Sequence, residues 1–232
     1  MRYLAYGCIL LLPLVVCSFA GADPSLLGYS GMLYTPTADV LAEGDWNIGA
    51  NSNEVEDWDR FNYYGNFGLG GNTEVGVLLQ RTDVRWVSDG ADTAQDGPAV
   101  DNNETFLSIK QVFRQPTDGK PGIAAGVFDI TDEVQTTVYV LANWQFGREV
   151  GQFRGRSLKF LNLNVGFASG QIEDLFFGAQ FALDSRIEIM GEHVGDEWNL
   201  GARIHPLQGL TVDAGLMDVE DLAVNVSYNA PL

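Results

Sequence analysis

From Trp46 to Tyr228 the chain repeats one pattern: apolar residues at every second position for runs of roughly ten, each run ended by a break rich in Gly, Asn and Asp. Successive side chains of a strand point to opposite sides, so each run has one apolar and one wettable face. In the clearest run Val134, Thr136, Val138, Val140, Ala142, Trp144 and Phe146 share one face, with Gln135, Thr137, Tyr139, Leu141, Asn143 and Gln145 on the other. Beyond the first residues, no stretch approaches the roughly eighteen uninterrupted apolar residues that a membrane helix needs. Any spanning must therefore be done by strands.

The alternation predicts strands at 45–53, 60–69, 73–83, 104–114, 122–130, 134–146, 158–168, 174–183, 186–194, 197–205, 209–217 and 221–229. The implied fold is all-β: an antiparallel up-and-down transmembrane β-barrel of about 12 strands, within a range of about 10 to 14. Such barrels pair short periplasmic turns with longer outer loops, and with both ends periplasmic the longest break, Val84 to Asn103, falls outside the cell. On the same topology Gly147 to Ser157 becomes a long periplasmic turn, against the trend.

Trp and Tyr gather where hydrocarbon meets headgroups. Trp46, Phe113, Trp144, Phe146, Phe181 and Tyr228 sit near strand ends sent to the periplasmic rim and form a candidate aromatic girdle. Phe61, Tyr63, Phe167 and Trp198 are the outer candidates. A soluble lipocalin-like barrel would instead turn its apolar face inward around a ligand. The wettable parity here is Gly, Asn, Gln, Ser and Thr, and the chain has only three lysines, Lys110, Lys120 and Lys159. That composition favours lipid outside and a mostly plugged polar lumen inside.

Met1 and Arg2, an apolar stretch from Leu4 to Phe19, and Ala20-Gly21-Ala22 before Asp23-Pro24 read as a secretory signal peptide over residues 1–22. A lipoprotein signal ending at Cys17 is the rival, although Val16 before it is larger than such signals use. Both cysteines, Cys8 and Cys17, lie inside the signal, so the mature chain has no disulfide. The formal charge is −18, and removal of 1–22 takes away Arg2 and no acid. Such acidity argues against nucleic acid as a partner. The expected organisation is signal peptide 1–22, lead-in or plug 23–44 and barrel 45–232.

A two-residue hairpin at Gly195-Asp196 places Glu192 opposite Asn199 and Glu188 opposite Arg203, all on the wettable parity. The next hairpin brings Asp213 within diagonal reach of Arg203. The expectation is a lumenal charge cluster of Glu188, Arg203 and Asp213, with Glu192 and Asn199 one layer above. An interior brace explains it, because a small barrel must pair the charges it buries; a pore lining or a catalytic carboxylate pair are the alternatives. Lys110, Asn143, Asn162, Asn164, Gln180 and Asn225 are further lumen positions. His193 is expected outward near the outer rim and His205 inward near the lower rim, with no metal-ligand spacing. No cofactor or metal is implied. The acidic loop carrying Asp83, Asp89, Asp92, Asp96 and Asp101 does not match the twelve-residue calcium loop.

Gly28-Tyr29-Ser30-Gly31-Met32-Leu33-Tyr34-Thr35-Pro36-Thr37-Ala38, followed by Gly44, is distinctive. Thr35-Pro36 forces an extended backbone and removes a donor, so the segment is a sheet edge, a bend or an inward-lying strand, and the plainest role is a lead-in that seals the barrel bottom. The Gly28, Gly31, Leu33, Pro36, Thr37, Ala38 and Gly44 pattern resembles the lead-in of the YjbH family of outer-membrane barrels associated with exopolysaccharide production. Leu175-Phe176-Phe177-Gly178 through Glu192, and Asn199 to Arg203 with Gly209-Leu210, resemble that family's barrel strands. The chain has room for one small barrel, where larger members are several times longer, and it ends Ala230-Pro231-Leu232 instead of on an aromatic. Tyr228, with Leu222, Val224 and Val226 on its face, is the candidate signal for the assembly machinery.

The resemblance implies a non-enzymatic envelope component of the bacterial outer membrane. Its partners would be outer-membrane lipid, the barrel assembly machinery, and polysaccharide or its export components. A small passive channel and a soluble periplasmic barrel binding an apolar ligand are the alternatives.

Overall fold

The computed structural model describes residues 22–55, 58–84, 102–117, 119–153, 156–172, 174–183 and 186–230. Twelve strands follow one another: β1 (Trp46–Val55), β2 (Trp58–Gly70), β3 (Thr73–Val84), β4 (Asn102–Arg114), β5 (Gly122–Phe128) and β6 (Thr137–Phe153), then β7 (Arg156–Ser169), β8 (Asp174–Leu183), β9 (Ile187–Val194), β10 (Glu197–Leu207), β11 (Leu210–Met217) and β12 (Asp221–Ala230). Each pairs antiparallel with the next, and β12 pairs back onto β1 from Trp46↔Ala230 to Asn53↔Ala223, closing the barrel. Closure leaves the sheet without free edge strands, and the count of twelve is even, as closed bacterial barrels prefer.

Side chains sort by parity. On β12, Ala223, Asn225 and Ser227 are buried, while Leu222, Val224, Val226 and Tyr228 face outward. On β6, Val138 and Val140 are 54% and 51% exposed, whereas Tyr139, Leu141 and Asn143 point in. The apolar parity is therefore the outside of the barrel, the reverse of a soluble ligand-binding barrel. The six aromatics of the expected girdle, Trp46, Phe113, Trp144, Phe146, Phe181 and Tyr228, lie on that outer face near the rim that holds β1's start and β12's end. Trp46 and Tyr228 meet there with ring centroids 6.3 Å apart. At the far rim Trp198 packs edge-on against His193, 4.6 Å between centroids, and His193 stacks on Phe177.

The structure corrects two strands. The run at 134–146 starts later, at Thr137, and extends to Phe153, while the run at 158–168 begins at Arg156. The supposed long turn from Gly147 to Ser157 is thus mostly strand, and only residues 154–155 separate β6 from β7. Register shifts between Gln145 and Arg148 and between Glu149 and Gly151 explain the miss, since each bulge breaks the period of two. Most of the acidic loop, residues 85–101, lies outside the described residues.

Residues 129–130 and 134–136, expected to belong to the neighbouring strands, join 131–133 in a loop. The Asp129 carboxylate accepts N–H bonds from Glu133, Val134 and Gln135, each at 3.0 Å, with its φ at 56°. Desolvation raises this carboxyl, but those amides and the Thr131 hydroxyl outweigh it and hold it below its usual range.

The expectation of a polar interior is met only in part. Tyr64, Leu78, Phe106, Phe128, Tyr139, Leu141 and Phe176 face inward and form a core with Tyr29 and Ala38 of the lead-in. A second cluster joins Met190, Met217 and Ala223 to Leu26, Met32 and Leu33. Burial of these groups stabilises an interior that amides alone would leave loosely packed.

Candidate functional site: the filled lumen

The apolar lining has a partner because residues 22–44 run through the barrel instead of capping it. Both ends of this segment sit at the rim of the termini. Asn47 at the foot of β1 donates to the Ala22 carbonyl, and the Gly44 N–H donates to Gly68 O at 2.9 Å. The bend between them reaches the far half, where the Tyr29 ring meets Phe128 edge-on at 5.8 Å and Tyr139 at 5.9 Å.

The wall grips the main chain of this plug with charged groups matched in sign to the atoms they hold. On β9, the fully buried Glu192 accepts from Tyr34 N at 2.8 Å, Thr35 N at 3.0 Å and Thr35 Oγ1 at 2.6 Å. On β3, Glu74 accepts from Ser30 N at 3.0 Å, Ser30 Oγ at 2.5 Å and Leu41 N at 3.1 Å. Lys110, opposite Glu74 on β4 and 3.5 Å from it, donates to Ser30 O at 2.9 Å. Carboxylates take the plug's N–H groups and cations take its carbonyls, which satisfies both backbone and charge in a dry interior.

Arg203 on β10 is the hub. Its guanidinium forks onto Asp213 of β11 at 2.8 and 3.2 Å and donates to the carbonyls of Pro24 (3.1 Å), Gly31 (3.2 Å) and Met32 (3.1 Å). Neutral amides add to the grip: Asn51 donates to Leu26 O at 2.8 Å, Asn164 to Pro36 O at 2.5 Å and Asn66 to Gly28 O. Leu33 fits only because the wall opposite is glycine. A Cβ on Gly215 would fall 2.5 Å from Leu33 Cδ2, and one on Gly201 3.0 Å from it.

The residues singled out by sequence divide among these tasks. The register sets Glu188 opposite Arg203 and Asn199 opposite Glu192. Arg203 and Asp213 form an ion pair, while Glu188 takes a hydrogen bond from Gln180 at 2.5 Å and faces His205 at 3.4 Å. Among the described residues Glu192 has no cation within ion-pair distance and holds instead the amides of Tyr34 and Thr35 and the Thr35 hydroxyl. Asn199 stands apart from the plug and accepts from Asp218 N at 2.9 Å in the turn after β11.

In the lead-in, Gly28 adopts φ +88° against Tyr64. Thr37 Oγ1 donates to Asp39 at 2.8 Å, and Ala38 packs on Gly122. His193 faces outward and His205 inward, each near the rim expected for it. Glu74, Asp23, Asn51 and Asn66 are among the contributors that sequence reasoning did not single out. The signal for Glu74 was its cross-strand pairing with Lys110 on the inward parity.

At the root of the plug, Asp23 accepts from Thr211 Oγ1 and Asn229 Nδ2, both at 2.9 Å, and lies 3.9 Å from His205 Nε2 and 3.8 Å from an Arg203 nitrogen. Burial pushes its carboxyl above the ordinary range against the pull of these two bases. Among the described residues no group of three or more His, Cys, Asp or Glu is arranged to hold a metal. Glu74, Glu192, Asp213 and Arg203 are all engaged by the plug or by each other, so the arrangement binds main chain.

No family model matches this sequence. No curated protein matches it either. Several solved barrels resemble it in shape. A KdgM porin aligns at 10% identity over 78% of this chain and 98% of its own, with a TM-score of 0.49. OprB of Pseudomonas putida, in a low-pH structure, aligns at 13% identity over 80% of this chain and 90% of its own, with a TM-score of 0.29. The N-terminal β-barrel domain of Pseudomonas aeruginosa OprF aligns at 10% identity over 82% of this chain and 100% of its own, with a TM-score of 0.27.

Proposed function

We propose that this chain is a non-enzymatic outer-membrane β-barrel, porin-like in its wall but closed at rest by its own lead-in. The observation that carries the proposal is the grip of Glu74, Lys110, Glu192 and Arg203 on the backbone of residues 24–41. The outward valines and leucines supply a belt for lipid, and the rim bearing the termini faces the periplasm. The resemblance of the lead-in ties such a barrel to exopolysaccharide production or export. A filled lumen then suits an envelope component standing beside the polymer's route better than the conduit itself.

Two measurements test this. After carbonate washing of purified envelopes the processed chain is expected to stay in the membrane pellet; its release as soluble protein would refute the lipid belt. In planar bilayers the full chain is expected to carry no steady current. A steady current would make it a passive channel and refute the closed lumen.

A further inference from the structure

We propose that Asp23, His205 and Glu188 form a proton-operated latch that fastens the root of the plug to the barrel wall and lets go as the imidazole loses its charge. The geometry around the ring suits that charge. The single proton of the Thr211 hydroxyl is directed to Asp23 Oδ1 at 2.9 Å, so a proton on the ring is what turns the 3.4 Å contact between Thr211 Oγ1 and His205 Nδ1 into a hydrogen bond. The other ring nitrogen, Nε2, faces Glu188 Oε1 at 3.4 Å and Asp23 Oδ2 at 3.9 Å, and carboxylates only accept. An imidazolium, a donor at both nitrogens, satisfies both contacts at once.

The surroundings make that charge consequential. From its own strand His205 sees Arg203, already committed to Asp213 of β11 and to three plug carbonyls. β9 contributes Glu188, and the plug contributes Asp23. Thr211 of β11 and Asn229 of β12 are neutral, and the Arg186 backbone carbonyl accepts from His205 N at 2.9 Å. Loss of the imidazole proton leaves three carboxylates, Asp23, Glu188 and Asp213, facing Arg203 alone. Of these, only Asp23 is on a segment that can withdraw. Its raised carboxyl works in the same direction: a group with a folded pKa above its unfolded value stabilises the closed form at low pH and loses that contribution as pH rises.

The cluster is also reachable, with side chains of His205, Asp23 and Glu188 at 13%, 11% and 16% exposure, unlike the sealed contacts of Glu192 deeper in. Histidine is the side chain whose ordinary titration falls near neutral pH, so the latch responds where a periplasm would vary. The proposal extends the closed-lumen reading and rests on it.

The test is hydrogen exchange of the lead-in peptide, residues 23–36, in the full processed chain refolded in detergent, at about pH 5.5 and about pH 8.5, with rates corrected for intrinsic exchange. Wild type is expected to lose roughly tenfold in protection over that interval, the free-energy scale of one unit of differential protonation. His205→Gln should lose protection at both pH values, and Asp23→Asn should flatten the pH step. His193→Gln, on the outer face, should keep it. A wild-type lead-in equally protected at both pH values, or a step that survives in both His205→Gln and Asp23→Asn, overturns the latch. Should His205→Gln fail to refold, Asp23→Asn decides alone. Failure of the closed lumen would show separately, as steady current through wild type at the lower pH.

Discussion

Replacing Arg203 by Met is the sharpest probe of the plug's anchorage. The guanidinium makes five hydrogen bonds, two to Asp213 and one each to Pro24, Gly31 and Met32 carbonyls, from a side chain only 2% exposed. Methionine fills similar volume but leaves Asp213 buried with Asn225 Nδ2, 3.0 Å away, as its remaining donor. Stranding one partner of a buried ion pair costs about 3 to 5 kcal/mol. Each abandoned carbonyl adds roughly 1 kcal/mol, less than additively because the three share one donor group.

A total near 5 kcal/mol is therefore expected, read as the shift in the urea midpoint of the refolded barrel in micelles. Arg203→Lys keeps the charge but offers three donors for five bonds and should cost roughly half as much. Adding Asp213→Leu to Arg203→Met should recover about 2 kcal/mol, since the stranded carboxylate goes with it. The plug should exchange faster in every Arg203 variant. A loss below about 1 kcal/mol, or a large loss with lead-in exchange unchanged, would refute Arg203 as the plug's anchor.

Three further outcomes follow from the same geometry. Glu192→Gln retains one acceptor oxygen for the two amides and the hydroxyl it now serves, so the plug should loosen by about 1 to 3 kcal/mol, measured as faster exchange at Tyr34 and Thr35. Val226→Arg, on the lipid parity at 46% exposure, should reduce the free energy of insertion into liposomes by about 2 to 4 kcal/mol, with Leu207→Arg at the rim costing far less. Asp129 has a depressed carboxyl, so its contribution is present above the ordinary carboxylate range and is lost as pH falls through the lowered value. Exchange at Glu133, Val134 and Gln135 should rise in acid for wild type and be fast at all pH values in Asp129→Ala.

The wall was legible because its rule is local. A period of two fixes parity without knowledge of any partner strand, and hairpin breaks such as Gly195-Asp196 fix register, so Glu188 could be set opposite Arg203 from sequence. Legibility failed where the period slipped, at the bulges after Gln145 and Glu149, and the strand there seemed to end early. It failed differently inside the barrel. Tyr64, Phe106, Phe128 and Phe176 look misplaced on an inward parity until a segment from far along the chain arrives to cover them. Thr35-Pro36 announced an irregular lead-in, but its path depends on anchors more than a hundred residues away, among them Glu192 and Arg203. Glu74, just after the Gly71-Asn72 turn, reads as a solvated residue at the foot of a hairpin; only its pairing with Lys110 hints otherwise.

The seam between β1 and β12 joins the first strand of the barrel to the last, so the ring stays open until that last strand has been delivered. The lead-in precedes all twelve strands, yet Met32 within it is completely enclosed once the ring is shut. A cylinder assembled empty would have to swallow that loop through a narrow mouth, past side chains already locked together. A sheet that curls around a loop already hitched to Glu74 and Lys110 has no such difficulty. The enclosure of Met32 favours filling before sealing, with the plug serving the growing wall as a mandrel serves wound wire.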